Sequence, residues 1–294
     1  MSTHSIVTLT TDWSIHDFFV GRVKGLLYSS IPGVNVVDVA HGIDPFDIIA
    51  ASFVVKASCL EFPEGTVHII DVASSAAPRN QYLLIRCRNQ YFVMLDNGIP
   101  SLVFGDESWE AVVLSYNMPS GFGNFVAYDL YCPVVARLLN GEDMSQLGSP
   151  CAKFESASRL SHTLGMNDQG EISNIEAHVT YIDHYGNAYL DIAYEEFDRI
   201  RKNRPFELRF SAGGIMQLAE TSIKKRSTIS KISSSYAFDD SMGHKLLLTV
   251  SSVGCMQIAV NGGNASKLFG LHVQQLVTIS FGSITGAQGA LFEL

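Results

Sequence analysis

The sequence predicts an α/β protein of two domains, in which a helix-covered mixed or parallel sheet precedes a smaller β-barrel. The chain has 294 residues, a length that suits two domains. It is 47% hydrophobic and 17% charged, so it can fill sizeable cores and is not typical of a disordered chain. Strand and helix patterns alternate in the first half, whereas strand patterns separated by turn residues dominate the second.

In the first half, apolar runs typical of buried strands alternate with segments of helical spacing. The predicted strands are Ser5–Thr10, Val34–Val39, Thr66–Ile70, and the hairpin pair Tyr82–Arg86 and Tyr91–Leu95. The predicted helices are Asp17–Ser30, Asp47–Leu60 and Asp129–Leu139. This alternation indicates a partly parallel sheet covered by helices over residues 1–150.

After residue 150 the pattern changes. A polar, irregular segment, 151–171, is the predicted linker. The predicted strands of the second domain are Thr180–Ile182, Ala188–Ile192, Phe206–Phe210, Lys245–Val250, Met256–Val260 and Val277–Phe281. Helix signals are few, so residues 172–294 are expected to form a small barrel or sandwich. The serine-rich stretch 227–235 is predicted to be a surface loop.

Charge and cysteine usage exclude several classes of partner. A net charge of −9 disfavours nucleic acid, and the basic cluster 224–226 is interpreted as a solvated turn. The five cysteines include no metal-binding spacing and no disulfide framework, and Cys59 and Cys132 are expected to be buried thiols. Because neither a signal peptide nor an apolar run of about 20 residues is present, we expect a cytoplasmic protein without a membrane partner.

Two acidic residues stand at the carboxyl ends of predicted strands, where ligands bind in open α/β sheets. Asp12 follows the first strand and can accept two hydrogen bonds from a ribose diol; alternatively, it caps the next helix. Asp71 ends the third strand and, with Arg79 in the following loop, can order a water molecule or a small anion. The alternative is a surface ion pair. No glycine-rich loop follows the first strand, which argues against a Rossmann phosphate site.

Further candidate segments contain turn signals or polar side chains. The Asn-Gly pair in 95–101 indicates a turn. Four side chains around one glycine interrupt the strand-like stretch 181–192 and indicate either a binding site or a plain turn: Asp183, His184, Tyr185 and Asn187. The glycines and asparagines of 251–266 offer backbone groups that can bind an adenine edge.

Taken in order, these segments resemble the family of S-adenosylmethionine hydroxide adenosyltransferases, whose close relatives are fluorinating and chlorinating enzymes. The resembling stretches are TLTTDW, VKGLLYSSIPGVNVVDVAHGIDPFD, FPEGTVHIID, YFVMLDNGIPS, DLYCPVVARL, IDHYGN and SSVGCMQIAVNGGNA. The likeness runs from about Ile6 to Ile279. It implies an α/β domain followed by a β-barrel domain. It also implies a homotrimer with the ligand at subunit interfaces, and S-adenosylmethionine as substrate without a cofactor.

The resemblance also implies roles for individual residues. Asp71 and Arg79 fall at the positions that handle the attacking water, and Asp12 falls at the ribose-diol carboxylate. Phe46 matches an aromatic residue that packs on the substrate in the halogenating relatives, and Ser74 lies in the loop around the reacting C5′ carbon. Six positions of the second domain match contacts with methionine or adenine: Asp183, Tyr185, Asn187, Ser252, Asn261 and Gly262.

Two positions depart from the family pattern. The histidine of the hydrolytic members is replaced by Val126, which cannot transfer a proton, and an arginine of the halogenating relatives is replaced by Val253. The implied reaction is attack of water on C5′, which yields adenosine and methionine. Without the histidine we expect slow activity that rises with pH, because no group titrating near neutrality is left. A catalytically decayed adenosyl-ligand-binding protein and a displacement by another nucleophile are the alternatives.

Overall fold

The structure is a computed structural model that describes residues 5–74, 81–115, 125–158, 160–211, 228–229, 232 and 246–282. The chain divides into two compact units, Met1–Arg159 and Leu160–Leu294. The boundary between them falls inside the segment 151–171. The predicted fold class is confirmed, since a helix-covered mixed sheet is followed by a curled antiparallel one.

The first unit is built on a sheet of seven strands. They are β1 (Ile6–Thr11), β2 (Asn35–Ala40), β3 (Val67–Asp71), β4 (Tyr82–Cys87), β5 (Gln90–Leu95), β6 (Trp109–Leu114) and β7 (Gly148–Pro150). Their order is β2-β1-β3-β5-β4-β6-β7, with the first four strands parallel and the remaining pairings antiparallel. The predicted hairpin of β4 and β5 is confirmed, whereas β6 and β7 were not predicted.

Helices accompany this sheet. They are α1 (Phe19–Ser30), α2 (Ile48–Ser58), α3 (Ile99–Phe104) and α4 (Cys132–Leu139), and a π-helix, Ala127–Tyr131, leads directly into α4. Side chains alternate between the two faces of a strand. Val67 and Ile69 of β3 therefore share the face that packs with α1 and α4, while His68 lies on the other face. The Asp47 carboxylate caps α2 by accepting from the N–H groups of Ile49 (3.1 Å) and Ala50 (2.9 Å).

The second unit is an antiparallel sheet curled into a half-barrel. Its strands are β8 (Thr163–Met166), β9 (Ile172–Ile182), β10 (Ala188–Ala193), β11 (Phe206–Phe210), β12 (Thr228–Ile229), β13 (Leu246–Val250), β14 (Cys255–Val260) and β15 (Leu276–Phe281). The order is β12-β11-β15-β9-β10-β14-β13, and β8 also pairs with β9. Two short helices, α5 (Tyr194–Arg201) and α6 (Ala265–Phe269), were not predicted. Strand β12 lies within the stretch 227–235, which was predicted to be a loop.

Further predictions concern the cysteines, the basic cluster and membrane-spanning helices. Cys59 and Cys132 are buried free thiols, as predicted. The basic cluster 224–226 lies outside the described residues. Within the described ranges, no helix has the length and apolar character that crossing a bilayer requires.

Candidate active site

Asp12 binds two backbone N–H groups at the carboxyl end of β1. Its Oδ2 accepts hydrogen bonds from the amides of Phe46 and Ala73, each at 3.1 Å. Both donors are non-glycine residues in the left-handed region, with φ of +69° and +53°, which costs about 1–2 kcal/mol each. The N-cap alternative is wrong, because α1 begins at Phe19 and its N-cap is Phe18. Asp12 instead joins the loops that follow β2 and β3.

Asp71 pairs with Thr11 across β3 and β1, and is almost completely buried at 1% exposure. Its Oδ2 accepts a hydrogen bond from the indole Nε1 of Trp13 at 3.1 Å. Burial raises the pKa of the Asp71 carboxyl to about 7, and the charge of Asp12 adds to this, while Ser74 and Trp13 act in the opposite direction. The missing family histidine predicts that no group titrates near neutrality. Burial of Asp71 supplies such a group, because desolvation disfavours the ionised form.

Trp13 is a site residue that was not predicted from the sequence. Its amide donates to the Thr11 hydroxyl (3.4 Å), which also contacts His41 Nδ1 at 2.8 Å. The indole stacks on the His41 ring and meets the Phe125 ring edge-on, with centroid separations of 6.5 and 5.0 Å. These contacts fix the indole that holds Asp71. The available sequence signal was its position beside Asp12 in TLTTDW.

The other predicted residues of the first unit fall into different environments. Phe46 presents its ring to solvent, with 63% of the residue exposed, beside its amide contact to Asp12. Ser74 is half-buried near Asp71. Val126 packs half-buried against the core immediately before the π-helix. Arg79 lies outside the described residues, so its predicted place beside Asp71 stays a prediction.

In the second unit, five predicted residues line one pocket of about 670 Å³. They are Asp183, Tyr185, Asn187, Asn261 and Gly262, and Val260 and Gly263 complete the lining. Tyr185 is 75% exposed, so its ring is available to a flat ligand. Gly262 adopts φ +63°, which turns the chain sharply after β14. The pocket therefore combines an aromatic face, a carboxylate and turn backbone.

Asp183 and Asn187 also build the turn between β9 and β10. Asp183 Oδ1 accepts from the Asn187 amide, and its Oδ2 accepts from Asn187 Nδ2, both at 2.9 Å. The Tyr189 hydroxyl donates to the same Oδ2 at 3.3 Å. The two interpretations left open from the sequence are thus compatible, because the side chains that stabilise the turn also line the pocket.

Ser252 does not line this pocket. It is exposed in the turn between β13 and β14, at the opposite end of β14 from Asn261. At about 3.3 Å per residue, the six residues of β14 separate these two turns by roughly 17 Å. Val253, in the same turn, is 39% exposed. Among the described residues, no cluster of three or more histidine, cysteine or carboxylate side chains is arranged to hold a metal ion.

Comparison with known proteins identifies related chains. The family model described as the SAM hydroxide adenosyltransferase N-terminal domain matches residues 7–148, and that of the C-terminal domain matches 177–278. A protein of Salinispora arenicola named (R)-S-adenosyl-L-methionine hydrolase is 26% identical over 267 residues, covering 89% of this chain and 92% of that protein. A Thermus thermophilus protein of the same name is 26% identical over 278 residues, covering 90% and 95%. A fluorinase of an Actinoplanes species is 22% identical over 239 residues, covering 72% and 79%.

Solved structures share the fold. An uncharacterized conserved protein from Thermotoga maritima superposes with a TM-score of 0.76 at 23% identity, covering 94% of this chain and 99% of that one. A conserved hypothetical protein from Thermus thermophilus gives a TM-score of 0.66 at 20% identity, with coverage of 94% and 99%.

Proposed function

Because the chain belongs to the SAM hydroxide adenosyltransferase family, we propose that it hydrolyses S-adenosylmethionine to adenosine and methionine. Water attacks C5′, the C5′–sulfur bond breaks, and methionine leaves as a neutral thioether while one proton is released. The sulfonium is already a good leaving group, so the protein needs only to bind the adenosine and methionine halves of the substrate and to orient the water. The observation that supports this chemistry best is the buried Asp71 carboxyl at the strand end.

In this proposal Asp71 is the general base. A pKa of about 7 lets it exist as a carboxylate at neutral pH and still accept a proton from water. Trp13 fixes one carboxylate oxygen, so the other faces the attacking water. Arg79 stabilises the hydroxide character of that water, and Val126 contributes only an apolar wall.

The binding roles follow the implied contacts. Asp12 accepts the ribose diol through Oδ1, while Phe46 and Ala73 hold Oδ2 in place. The Phe46 ring packs on the sulfonium or the adenosine, and Ser74 lies by C5′. Tyr185 stacks on adenine, whose edge meets Asn187 and the backbone of Asn261 and Gly262, and Asp183 holds the methionine amine. Ser252 lies at the opposite end of β14 from this pocket, too far from Asp183 to hold the carboxylate of the same methionine.

The sulfonium configuration is part of the proposal. The related proteins from Salinispora arenicola and Thermus thermophilus carry the (R) designation in their names. We propose the same preference here, because an in-line attack on C5′ requires the leaving sulfur to be held in one orientation. Each epimer offered separately should therefore be cleaved at a different rate, with the (R) form faster.

The deciding experiment incubates the purified protein with each epimer between pH 6 and 9 and follows adenosine by chromatography. Adenosine and methionine should form in equal amounts, and the rate should rise through about pH 7 as Asp71 ionises. Asp71→Asn should reduce the rate by about 10²–10⁴, the usual contribution of a general base. Asp17→Asn, which removes an exposed carboxylate before α1, is the matched control and should leave the rate unchanged.

One result would replace the proposal. If the protein binds S-adenosylmethionine but forms no adenosine at high enzyme concentration and alkaline pH, it is an adenosyl-ligand-binding protein instead. Val126 at the family's histidine position is the residue that makes this outcome worth testing.

For assembly and location we propose a cytoplasmic homotrimer that needs no cofactor and has no nucleic-acid or membrane partner. The family resemblance supports the trimer, and the net charge of −9 argues against nucleic acid. Light scattering at micromolar concentration should give three times the chain mass of 32.1 kDa. A monomeric mass would contradict this assembly.

A further inference from the structure

Three buried side-chain oxygen atoms of the first unit have no hydrogen-bond partner in the part of the chain that the structure describes. They are Oδ1 of Asp71, Oε1 of Gln90 and the hydroxyl oxygen of Tyr131, and the first and last of these concern the proposed base. Tyr131 is fully buried and is the last residue of the π-helix. An unsatisfied buried polar group costs about 1–3 kcal/mol, and buried polar groups are commonly satisfied through a bound water molecule.

The fold places these two atoms in the same layer. Alternation along β3 puts Asp71 on the face of Val67 and Ile69, which pack in one core cluster with Tyr131. Strand β3 contacts the π-helix directly. Burial raises the pKa of the Tyr131 hydroxyl well above its usual range, and the nearby charge of Asp71 raises it further. The two side chains are therefore neighbours without a direct hydrogen bond between these oxygen atoms.

The π-helix ends at Tyr131, so its geometry affects where that side chain lies. Its wide turn, closed by the Cys132 amide donating to the Ala127 carbonyl, inserts an additional residue before α4. Such turns are frequent at functional sites, because they change which side chain a helix presents to its neighbours.

We propose that Tyr131 is a positioning residue for Asp71: its hydroxyl donates to one water molecule, which donates to Asp71 Oδ1 and stabilises the ionised carboxylate. Trp13 already holds the other oxygen, so both oxygens are oriented, and the second lone pair of Oδ1 stays available to the attacking water. This inference rests on the proposed function of Asp71 as the base.

The groups that face Asp71 act in opposite directions. Asp12, at the end of β1, opposes its ionisation, while Ser74 and Trp13 favour it. Two residues of the helical side also lie near Asp71. They are Tyr131 and Cys132, a thiol whose pKa is raised by burial and further by the Asp71 charge. The Tyr131 hydroxyl, and not the Cys132 thiol, is the proposed donor to Asp71 through the water. Because a hydrogen bond to the charged form lowers the pKa of a carboxyl group, this contact favours ionisation of Asp71.

The test is the pH profile of adenosine formation by Tyr131→Phe, which removes one oxygen and keeps the ring. The midpoint of the rising limb should move up by about one pH unit, giving a rate about tenfold lower below it. The alkaline plateau should stay within about twofold of wild type, because the base is then fully ionised. Tyr91→Phe, a half-buried tyrosine on β5 against the same core, is the control and should leave the midpoint in place.

A second measurement needs no turnover. Infrared difference spectroscopy can titrate the protonated carboxyl band of Asp71, assigned by its loss in Asp71→Asn, in wild type and in Tyr131→Phe. An upward shift of that midpoint in Tyr131→Phe supports the proposal even if no adenosine forms, which would refute only the proposed function. An unchanged midpoint overturns it, as does a lower plateau without a shift, since Tyr131 would then only fill space.

Discussion

At the residue scale, the carboxylate of Asp12 has two tasks that use different oxygens. Oδ2 accepts the amides of Phe46 and Ala73, so it is engaged in holding two left-handed residues in place. Among the described residues, both donors to Asp12 bond to Oδ2, so Oδ1 is available to a ligand. A pre-oriented carboxylate of this kind binds a diol with little loss of side-chain entropy.

Asp12→Ala should weaken adenosine binding by about 1.5–3 kcal/mol, the range for hydrogen bonds to a charged group. Isothermal calorimetry with adenosine measures this change directly. Asp47→Ala removes a nearby carboxylate that caps α2, so it should cost about 1 kcal/mol of stability and leave adenosine affinity unchanged. Equal affinities for wild type and a folded Asp12→Ala would contradict the ligand role.

At this scale, only some of the candidate residues and contacts could be predicted from the sequence. Strand-end geometry sufficed to select Asp12 and Asp71. The interrupted strand pattern indicated Asp183, Tyr185 and Asn187 as either a binding site or a turn, and the resemblance added Asn261 and Gly262 of the same pocket. Nothing in the sequence indicates that Trp13 bonds to Asp71, because that contact joins residues 58 positions apart. The raised pKa of Asp71 could not be predicted either, since it depends on burial that only the packed helices create.

At the element scale, strands with strong apolar patterns were predicted nearly to their ends. The segment Phe206–Phe210 matches β11 in full, whereas Thr180–Ile182 covers only the last part of β9. The first part of β9 alternates between polar and apolar residues, as a half-buried strand does, but it was missed because it continues directly from the polar segment that was interpreted as the linker. Helix α3 was missed because six residues are too short to display a 3.6-residue period, and α5 because its first turn is rich in charge.

The hairpin of β9 and β10 depends on Gly186. This residue has φ +83°, and a Cβ atom there would lie 2.1 Å from Oδ1 of Asn264, the side chain that caps α6. Gly186→Ala should therefore cost about 2–3 kcal/mol of stability, because left-handed strain adds to the loss of the cap. It should also weaken adenosine binding, since Tyr185 and Asn187 flank it in the pocket.

Gly170→Ala provides the matched comparison in denaturant unfolding. Gly170 has φ +75° in the turn between β8 and β9, but nothing lies within 4 Å of its added Cβ. It should cost only the strain of about 1–2 kcal/mol and leave adenosine affinity intact. If both variants lose the same stability, the contact between Gly186 and Asn264 is not important for the turn.

At the scale of the whole molecule, two buried titratable groups of the first unit link stability to pH in opposite senses. His68 is completely buried, bonded through Nδ1 to the Thr8 hydroxyl at 2.7 Å and stacked on Phe92. Burial lowers the pKa of His68 from 6.5 to about 3, whereas burial raises that of Asp71 from 3.8 to about 7. The folded state therefore resists protonation at His68 and resists deprotonation at Asp71.

The sign of each effect follows from which state binds the proton. Between about pH 6.5 and 3 the unfolded chain protonates His68 and the folded one does not, so the free energy of unfolding falls as pH falls. Between about pH 7 and 3.8 the folded chain protonates Asp71 and the unfolded one does not, so the free energy of unfolding rises as pH falls. The two slopes oppose each other over most of the weakly acidic range, which conceals both in the wild type.

Single variants should separate the two slopes in urea unfolding at pH 5 to 8. Relative to wild type, His68→Gln should gain stability by up to about 1.4 kcal/mol per pH unit as pH falls below 6.5, because the proton uptake of the unfolded chain is removed. Asp71→Asn should change relative stability in the opposite direction over the same range. His16→Gln, at an exposed position away from this buried cluster, is the matched control and should keep the wild-type slope. Parallel pH profiles for wild type and His68→Gln would mean that the buried imidazole accepts a proton in the folded protein, against its apolar surroundings.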